Sequence, residues 1–105
     1  MKHILPVELK AKLAAGGKLQ LLDVREAWEY QTARIDGSTL IPMGDVAARV
    51  AELDSENEVV VICHHGGRSM QIAVFLERQG FCKVHNLTGG VDGWARTVDS
   101  SMPLY

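Results

Sequence analysis

The stretch from Glu58 to Gly80 constrains the fold and the chemistry of this chain more than any other. A four-residue apolar run, Val59–Ile62, ends abruptly at Cys63, and residues 64–69 read His-His-Gly-Gly-Arg-Ser. A helical pattern over 70–79 follows, and Gly80 closes it. A cysteine in a loop before a helix N-terminus lies near free backbone amides and the positive end of the helix dipole. Such a cysteine should be partly thiolate at neutral pH, so we interpret Cys63 as a nucleophile in an anion-binding loop.

Composition excludes several other classes of protein. The chain has 105 residues, 47% of them hydrophobic and 23% charged, which is ordinary for one small globular domain. The net charge of -2 gives no reason to expect nucleic acid binding or a membrane surface. The N-terminal segment lacks the apolar core of a signal peptide, so we expect a cytoplasmic location. The spacing of the two cysteines, Cys63 and Cys82, fits neither a CxxC redox pair nor a zinc site, so we expect free thiols and no metal.

Apolar periodicity along the chain predicts alternating strands and helices. Strands are predicted over 19–24, 39–41, 59–62 and 83–87, with a short edge strand at 4–5. Helices are predicted over 6–14, 27–31, 45–53 and 70–79, and a Gly-rich turn over 88–93 leads into a short final helix. This order predicts one α/β domain, residues 1–105, with a mostly parallel sheet. Ligands bind at the carboxyl ends of the strands in such sheets, and Cys63 follows the most apolar strand directly.

Three segments, taken together in their order and spacing, resemble the rhodanese (sulfurtransferase) family in its single-domain form. They are Leu-Asp-Val-Arg-Glu at 22–26 with Glu-Tyr at 29–30, Ile-Asp-Gly-Ser at 35–38 and Ile-Pro at 41–42; Val-Ile-Cys-His-His-Gly-Gly-Arg-Ser at 61–69; and Leu-Thr-Gly-Gly-Val-Asp-Gly-Trp at 87–94. The match covers residues 4–96. One departure is Ala33-Arg34, where many relatives have Gly-His. That position is remote in sequence from Cys63, so it affects the chemistry little.

The resemblance implies an open, five-stranded parallel sheet flanked by helices on both faces. It also implies that Cys63 accepts a sulfane sulfur as a persulfide and passes it to an acceptor. In the family, the backbone amides of a six-residue loop, here 63–68, surround the persulfide. No cofactor is implied. The expected partners are a small sulfur donor such as thiosulfate, a thiol or cyanide as acceptor, and a second protein as a further candidate for either role.

The candidate site consists of one catalytic residue and the loop that follows it. Cys63 is the expected nucleophile, and the expected substrate-binding residues are His64, His65, Gly66, Gly67, Arg68 and Ser69. The two glycines would let amides converge, whereas Ser69 is expected to act as a helix cap or first-turn hydrogen-bond donor. The histidines would either attract anionic substrate when protonated or simply face solvent. Arg68 would either bind an anion in the pocket or pair with an acid such as Asp23 or Glu26.

Several other polar and aromatic residues are expected to be structural. Asp23, Arg25, Glu26 and Asp36 are interpreted as scaffold, and Trp28 and Trp94 as core or pocket-wall residues, with Trp28 partly buried. Cys82 could resolve a persulfide at Cys63. We interpret it instead as a partly buried and inert cysteine, because a helix separates the two in sequence.

Two other functions compete with sulfur transfer. One is a cysteine-dependent phosphatase or arsenate reductase, but such phosphatases place five residues between Cys and Arg, whereas Cys63 and Arg68 enclose four. The shorter loop leaves room for a sulfur atom and is tight for a tetrahedral phosphate. The other is a sulfur carrier or partner-binding module without turnover. The intact cysteine and glycine-containing loop argue against an inactive domain but not against a carrier.

Overall fold

The computed structural model describes residues 1–105 as five strands and five α-helices in near-perfect alternation. The strands are β1 (Lys2–Ile4), β2 (Leu19–Asp23), β3 (Thr39–Leu40), β4 (Glu58–Ile62) and β5 (Val84–Leu87). The helices are α1 (Pro6–Ala14), α2 (Ala27–Thr32), α3 (Val46–Arg49), α4 (Gly67–Arg78) and α5 (Gly90–Thr97). None of these helices has the length and apolarity needed to cross a membrane.

All five strands are parallel and form one sheet in the order β1-β5-β4-β2-β3. The most apolar strand, β4, lies at the centre, with Asp23 of β2 in register with Ile62 on one side and Asn86 of β5 in register with Val61 on the other. The predicted fold class is therefore confirmed. Because the strands are parallel, the residues after β2, β4 and β5 meet at one edge of the sheet.

Alternation along β4 divides the core into two layers, which explains why this strand reads as an unbroken apolar run. Val59, Val61 and Cys63 pack in one layer, whereas Val60 and Ile62 pack in the other. The first layer includes apolar residues of α3 and α4, and the second includes residues of α1 and α5. Helices therefore cover both faces of the sheet, as predicted.

The predicted helix over 45–53 is wrong in its extent. The structure has only one α-helical turn there, α3, between 3-10 turns at Met43–Asp45 and Val50–Glu52. Val46 is the only fully buried residue of this segment, whereas Val50 and Leu53 are half-buried against the core. Burial thus anchors one turn, and the flanking residues tighten into the 3-10 geometry common at helix ends.

Candidate active site

The site is built where the carboxyl ends of β2, β4 and β5 meet. Cys63 follows β4 immediately and is only 1% exposed. Its Sγ accepts a hydrogen bond from the Gly66 amide at 3.0 Å and lies 3.2 Å from the Ser69 hydroxyl. The thiol is therefore a buried group with two polar contacts and not simply another apolar core residue.

Helix α4 begins inside the predicted binding loop. The pattern predicted a helix from residue 70, but α4 starts at Gly67, so Gly67, Arg68 and Ser69 form its first turn. Gly66 precedes it with φ +110°, a left-handed conformation that favours glycine, and this conformation directs the Gly66 amide at the sulfur. Gly67 has no positive φ and open space around its Cα, so its backbone does not require glycine. The free amides of the α4 N-terminus consequently lie beside Cys63.

The first turn of α5 holds the other side of this loop. The amides of Val91 and Asp92 donate to the carbonyls of Cys63 (2.9 Å) and His64 (3.0 Å). A Cβ at Gly90, where φ is +58°, would lie 2.3 Å from the Cys63 carbonyl oxygen, so no side chain fits there. The sequence predicts only a turn over residues 88–93, although the Gly89-Gly90 pair in it is a signal for such a close approach.

Arg68 pairs with an acid on the neighbouring helix α2, and that acid is neither Asp23 nor Glu26. Its two terminal nitrogens donate to the two carboxylate oxygens of Glu29 at 2.6 and 2.8 Å. Glu29 is 3% exposed, and its hydrogen bonds from Arg68 lower the pKa of its carboxyl to about 2. The same pair raises the pKa of Arg68. The guanidinium therefore joins α4 to α2, and its charge is already neutralised by a carboxylate.

This pair should make stability depend on pH in the acid range. The pKa of Glu29 is lower in the folded chain than its usual 4.5. The ion pair therefore contributes fully to the free energy of unfolding above pH 4.5, and this contribution is lost as the pH falls toward 2. We expect Glu29→Gln to cost about 2 kcal/mol at neutral pH, a value reduced by the partial exposure of Arg68, and to flatten the acid decline of stability. Urea unfolding from pH 2 to 7 measures this. Glu26→Gln, at an exposed carboxylate nearby, is the matched control. Parallel pH curves for wild type and Glu29→Gln would contradict the expectation.

Tyr105 is a residue of the site that sequence analysis missed. Its ring stacks on His64 with centroids 4.0 Å apart and planes 9° apart. Its hydroxyl donates to Glu29 at 2.9 Å and accepts from Arg25 at 2.6 Å. The C-terminal tail has no clear sequence pattern, so nothing in the sequence indicates that Tyr105 contacts these residues. Tyr105 therefore forms a wall beside the loop.

The two loop histidines have different surroundings. His64 is half-buried, and burial together with the neighbouring His65 lowers its pKa, so it is neutral at pH 7. Its Nε2 is buried and has no hydrogen-bond partner. His65 is exposed, with its Nε2 3.9 Å from Asp92. Of the two loop histidines, only His65 is therefore placed to present a positive charge to an anion, when its ring is protonated.

A third feature of the loop is a group of possible metal-ligand atoms, from His64, His65 and Asp92, that lie within 4.8 Å of one another. The sequence does not predict this group. Two features count against a metal site there. Asp92 already pairs with Arg96 at 3.0 Å, and the two histidine rings lie against each other with centroids 3.9 Å apart and planes tilted by 32°.

Ser69 does not cap α4. It is fully buried in the first turn, where its hydroxyl donates to Asn86 Oδ1 and contacts Cys63. Asn86, on β5, is 2% exposed and donates from Nδ2 to the Gly66 carbonyl at 3.2 Å. Asn86 is a second residue that sequence analysis missed, because it lies inside a predicted strand.

The positions of the residues predicted to be structural agree with the prediction only in part. Asp23 and Arg25 form a fully buried ion pair at the end of β2, with the shortest contact 2.7 Å, and Trp94 is buried in the core. Two predictions of burial are wrong. Trp28 is 55% exposed, with its ring in a T-shaped contact with Tyr105. Cys82 is exposed two residues before β5, at the opposite end of that strand from the site.

Two clefts lie near these elements. One of about 270 Å³ adjoins the loop and is lined by His65, Gly66 and Gly67 together with His3, Met70, Asn86, Thr88 and Gly89. A larger cleft of about 420 Å³, which includes Cys82, lies at the amino ends of β4 and β5, away from Cys63. Three of the predicted binding residues therefore share one cleft, whose lining does not include the buried Cys63.

Comparison with known proteins identifies the family. The model of the rhodanese-like domain matches residues 5–97. The putative sulfurtransferase YtwF of Bacillus subtilis is 39% identical over 90% of both chains. The putative sulfur carrier protein YrkF of the same organism is 42% identical over 81% of this chain, which spans only 46% of that protein's length. The crystal structure of a rhodanese-like domain protein from Staphylococcus aureus superimposes with a TM-score of 0.86 at 28% identity, covering 100% of this chain and 99% of that one. With the fold and the loop geometry above, the chain belongs to the rhodanese-like family.

Proposed function

We propose that this chain is a sulfurtransferase in which Cys63 carries the sulfur as a persulfide. The observation that carries the proposal is the buried Cys63 Sγ, which accepts the Gly66 amide directly before the N-terminus of α4. A thiolate needs such hydrogen-bond donors and a positive potential, and a persulfide anion needs them equally. The relatives named as sulfurtransferase and sulfur carrier support the reaction class.

The reaction has two steps. The Cys63 thiolate attacks the outer sulfur of thiosulfate; a sulfur–sulfur bond forms to Sγ, the one within thiosulfate breaks, and sulfite leaves with the electron pair. A thiol or cyanide then attacks the outer sulfur of the persulfide, and Cys63 leaves as a thiolate. Because both steps displace an anion, backbone donors that are already in place at the loop favour them.

Recognition of an anionic donor falls mainly to the backbone. Arg68 is neutralised by Glu29, and His64 is neutral at pH 7, so neither supplies free positive charge. The amides at the start of α4 remain, together with the exposed His65 and His3, which line the same cleft. We infer that Gly66, Gly67 and His65 contact the donor, whereas Arg68 and Ser69 hold the loop. This arrangement suits small donors with an exposed sulfane sulfur, such as thiosulfate and small persulfides.

Mass spectrometry of the intact chain tests the proposal. Incubation with thiosulfate should add the mass of one sulfur atom to the peptide containing Cys63, and cyanide should remove it as thiocyanate. Parallel incubations with 3-mercaptopyruvate and a small persulfide rank the donors. Cys82→Ser is the matched control and should be labelled like the wild type, since Cys82 lies at the far end of β5. Labelling on Cys82 alone, or by none of the three donors, would exclude the mechanism.

A sulfur carrier without its own turnover is the second candidate, favoured by the name of the relative YrkF. Both functions require a persulfide on Cys63, so they differ in the second step, the transfer of the outer sulfur to an acceptor. A carrier would keep its persulfide for many minutes with excess cyanide or glutathione and lose it only to a protein acceptor. A phosphatase is less favoured, because the guanidinium that would bind phosphate is held by Glu29.

A further inference from the structure

Two groups contact the Cys63 sulfur, and Asn86 binds both of them. The Gly66 amide and the Ser69 hydroxyl lie 3.0 and 3.2 Å from Sγ. Asn86 donates to the Gly66 carbonyl and accepts from the Ser69 hydroxyl. Ser69 is fully buried and Asn86 is 2% exposed, so water does not compete in this network.

The direction of each hydrogen bond follows from the chemistry of the groups. A carbonyl only accepts, so the Asn86 atom that faces the Gly66 carbonyl must be Nδ2. The other amide atom, Oδ1, therefore faces Ser69, and Oδ1 only accepts. Because a hydroxyl has a single proton, Ser69 gives that proton to Asn86 and presents a lone pair to the sulfur.

This orientation of the Ser69 hydroxyl suits a thiol at Cys63 and not a thiolate, although the Gly66 amide can donate to either form. A thiol can donate its S–H to the Ser69 oxygen, whereas a thiolate can only accept. When Cys63 loses its proton, the Ser69 hydroxyl must turn from Asn86 to the sulfur to stabilise the charge. Asn86 and Cys63 thus compete for one proton, in a buried place where a hydrogen bond to a charged group has its greatest effect.

We infer that Asn86 is a positioning residue for Cys63, acting through the Ser69 hydroxyl, and that it sets how readily Cys63 forms a thiolate. The inference rests on the proposed function for its role in sulfur transfer. In the persulfide the negative charge lies on the outer sulfur, so the Ser69 proton returns to Asn86. When the acceptor takes that sulfur, the sulfur–sulfur bond breaks, Sγ leaves with the electron pair, and the Ser69 hydroxyl turns back to donate to it. The hydroxyl therefore follows the charge on Sγ through both steps.

The variants that test this inference differ from one another only at Ser69 and Asn86, so the other charged and titratable side chains near the loop are still present in them. They come from β1, α2, the loop, α4, α5 and the tail, and are His3, Glu29, His64, His65, Arg68, Asp92 and Tyr105. Asn86 Nδ2 also lies 3.4 Å from His3 Nδ1, and Asn86→Leu removes that contact whether or not Ser69 is present. An effect of Asn86→Leu that appears only when Ser69 is present thus reports the hydroxyl and its acceptor.

The test measures how the alkylation rate of Cys63 by iodoacetamide depends on pH, in the full chain with Cys82→Ser. Asn86→Leu frees the Ser69 proton for the sulfur, so the midpoint of the profile should move to lower pH by about half a unit to one unit. Ser69→Ala removes the donor to the thiolate and should move the midpoint to higher pH by about one unit. In the Ser69→Ala background, Asn86→Leu should have no further effect.

Equal shifts from Asn86→Leu in both backgrounds would overturn the inference, because Asn86 would then act through the Gly66 carbonyl or through packing. A shift to higher pH, or none, for Asn86→Leu alone would overturn it as well. Asn86→Ala, which adds no bulk and no charge, provides a second test if the leucine variant does not fold. It also frees the Ser69 proton and should move the midpoint to lower pH, by more when Ser69 is present than in the Ser69→Ala background. No sulfur donor is used, so failure here is distinct from failure of the sulfurtransferase proposal.

Discussion

Replacing Cys63 with serine is expected to abolish persulfide formation and to lower the rate of sulfur transfer by at least about a thousand-fold. A serine hydroxyl is un-ionised at neutral pH, and its oxygen cannot form the sulfur–sulfur bond that stores the transferred atom. Thiocyanate formation from thiosulfate and cyanide measures the rate, and mass spectrometry measures the missing sulfur adduct.

The same substitution should leave the fold in place. Serine is close to cysteine in size, and its oxygen can accept the Gly66 amide and meet the Ser69 hydroxyl. We expect a loss of about 1 kcal/mol or less in the free energy of unfolding, since the buried polar contacts are kept. Cys82→Ser should retain full activity as the matched control. Transfer by Cys63→Ser within ten-fold of the wild type would show that another group carries the sulfur.

Replacing Arg25 with methionine is expected to be the most destabilising change. The guanidinium is fully buried and donates to both carboxylate oxygens of Asp23, at 2.9 and 2.7 Å, and to the Ala33 carbonyl at 2.6 Å. Burial disfavours its charge, but the hydrogen bonds from Arg25 to Asp23 and Tyr105 outweigh this and raise the pKa of Arg25. Without Arg25 the Asp23 carboxylate is left buried and unpaired, which costs about 3–5 kcal/mol. Small domains have about 5–15 kcal/mol in total, so the variant should be marginally folded.

Chemical denaturation measures this loss, and two further variants separate charge from geometry. Arg25→Lys keeps the positive charge without the planar fork and should lose less stability than methionine. The double variant with Asp23→Leu and Arg25→Met removes both charges and should recover part of the loss, because no unpaired charge remains. A loss below about 1 kcal/mol for Arg25→Met would show that the pair is unimportant for stability.

The strands and the position of Cys63 were predictable because burial leaves a local pattern. An apolar run such as Val59–Ile62, bounded by polar residues and followed by a glycine loop, is short enough to indicate a buried strand. Residues 45–53 were misassigned because helical spacing reports which residues face the core and not how tightly each turn is wound. Helix α4 was predicted to start late because Gly67, Arg68 and Ser69 carry no apolar periodicity.

Partner choice was not predictable, since it depends on which side chains the fold brings together. Arg68 had several acids available in the sequence, and only the placement of α2 beside α4 selects Glu29. The exposure of Trp28 and Cys82 follows from where α2 and the start of β5 lie. Tyr105 and Asn86 reach the site from the tail and from β5, far from Cys63 along the chain.

The sequence alone thus determined the α/β order, the central strand and the cysteine at its carboxyl end, because apolar spacing and glycine positions are local properties. Only the tertiary structure decided what surrounds that cysteine. It assigned Arg68 to Glu29, left His64 neutral beside Tyr105, and directed the Ser69 proton to Asn86. The partners in these contacts are at least 17 positions apart along the chain, and proximity of that kind follows from packing in three dimensions and not from local spacing.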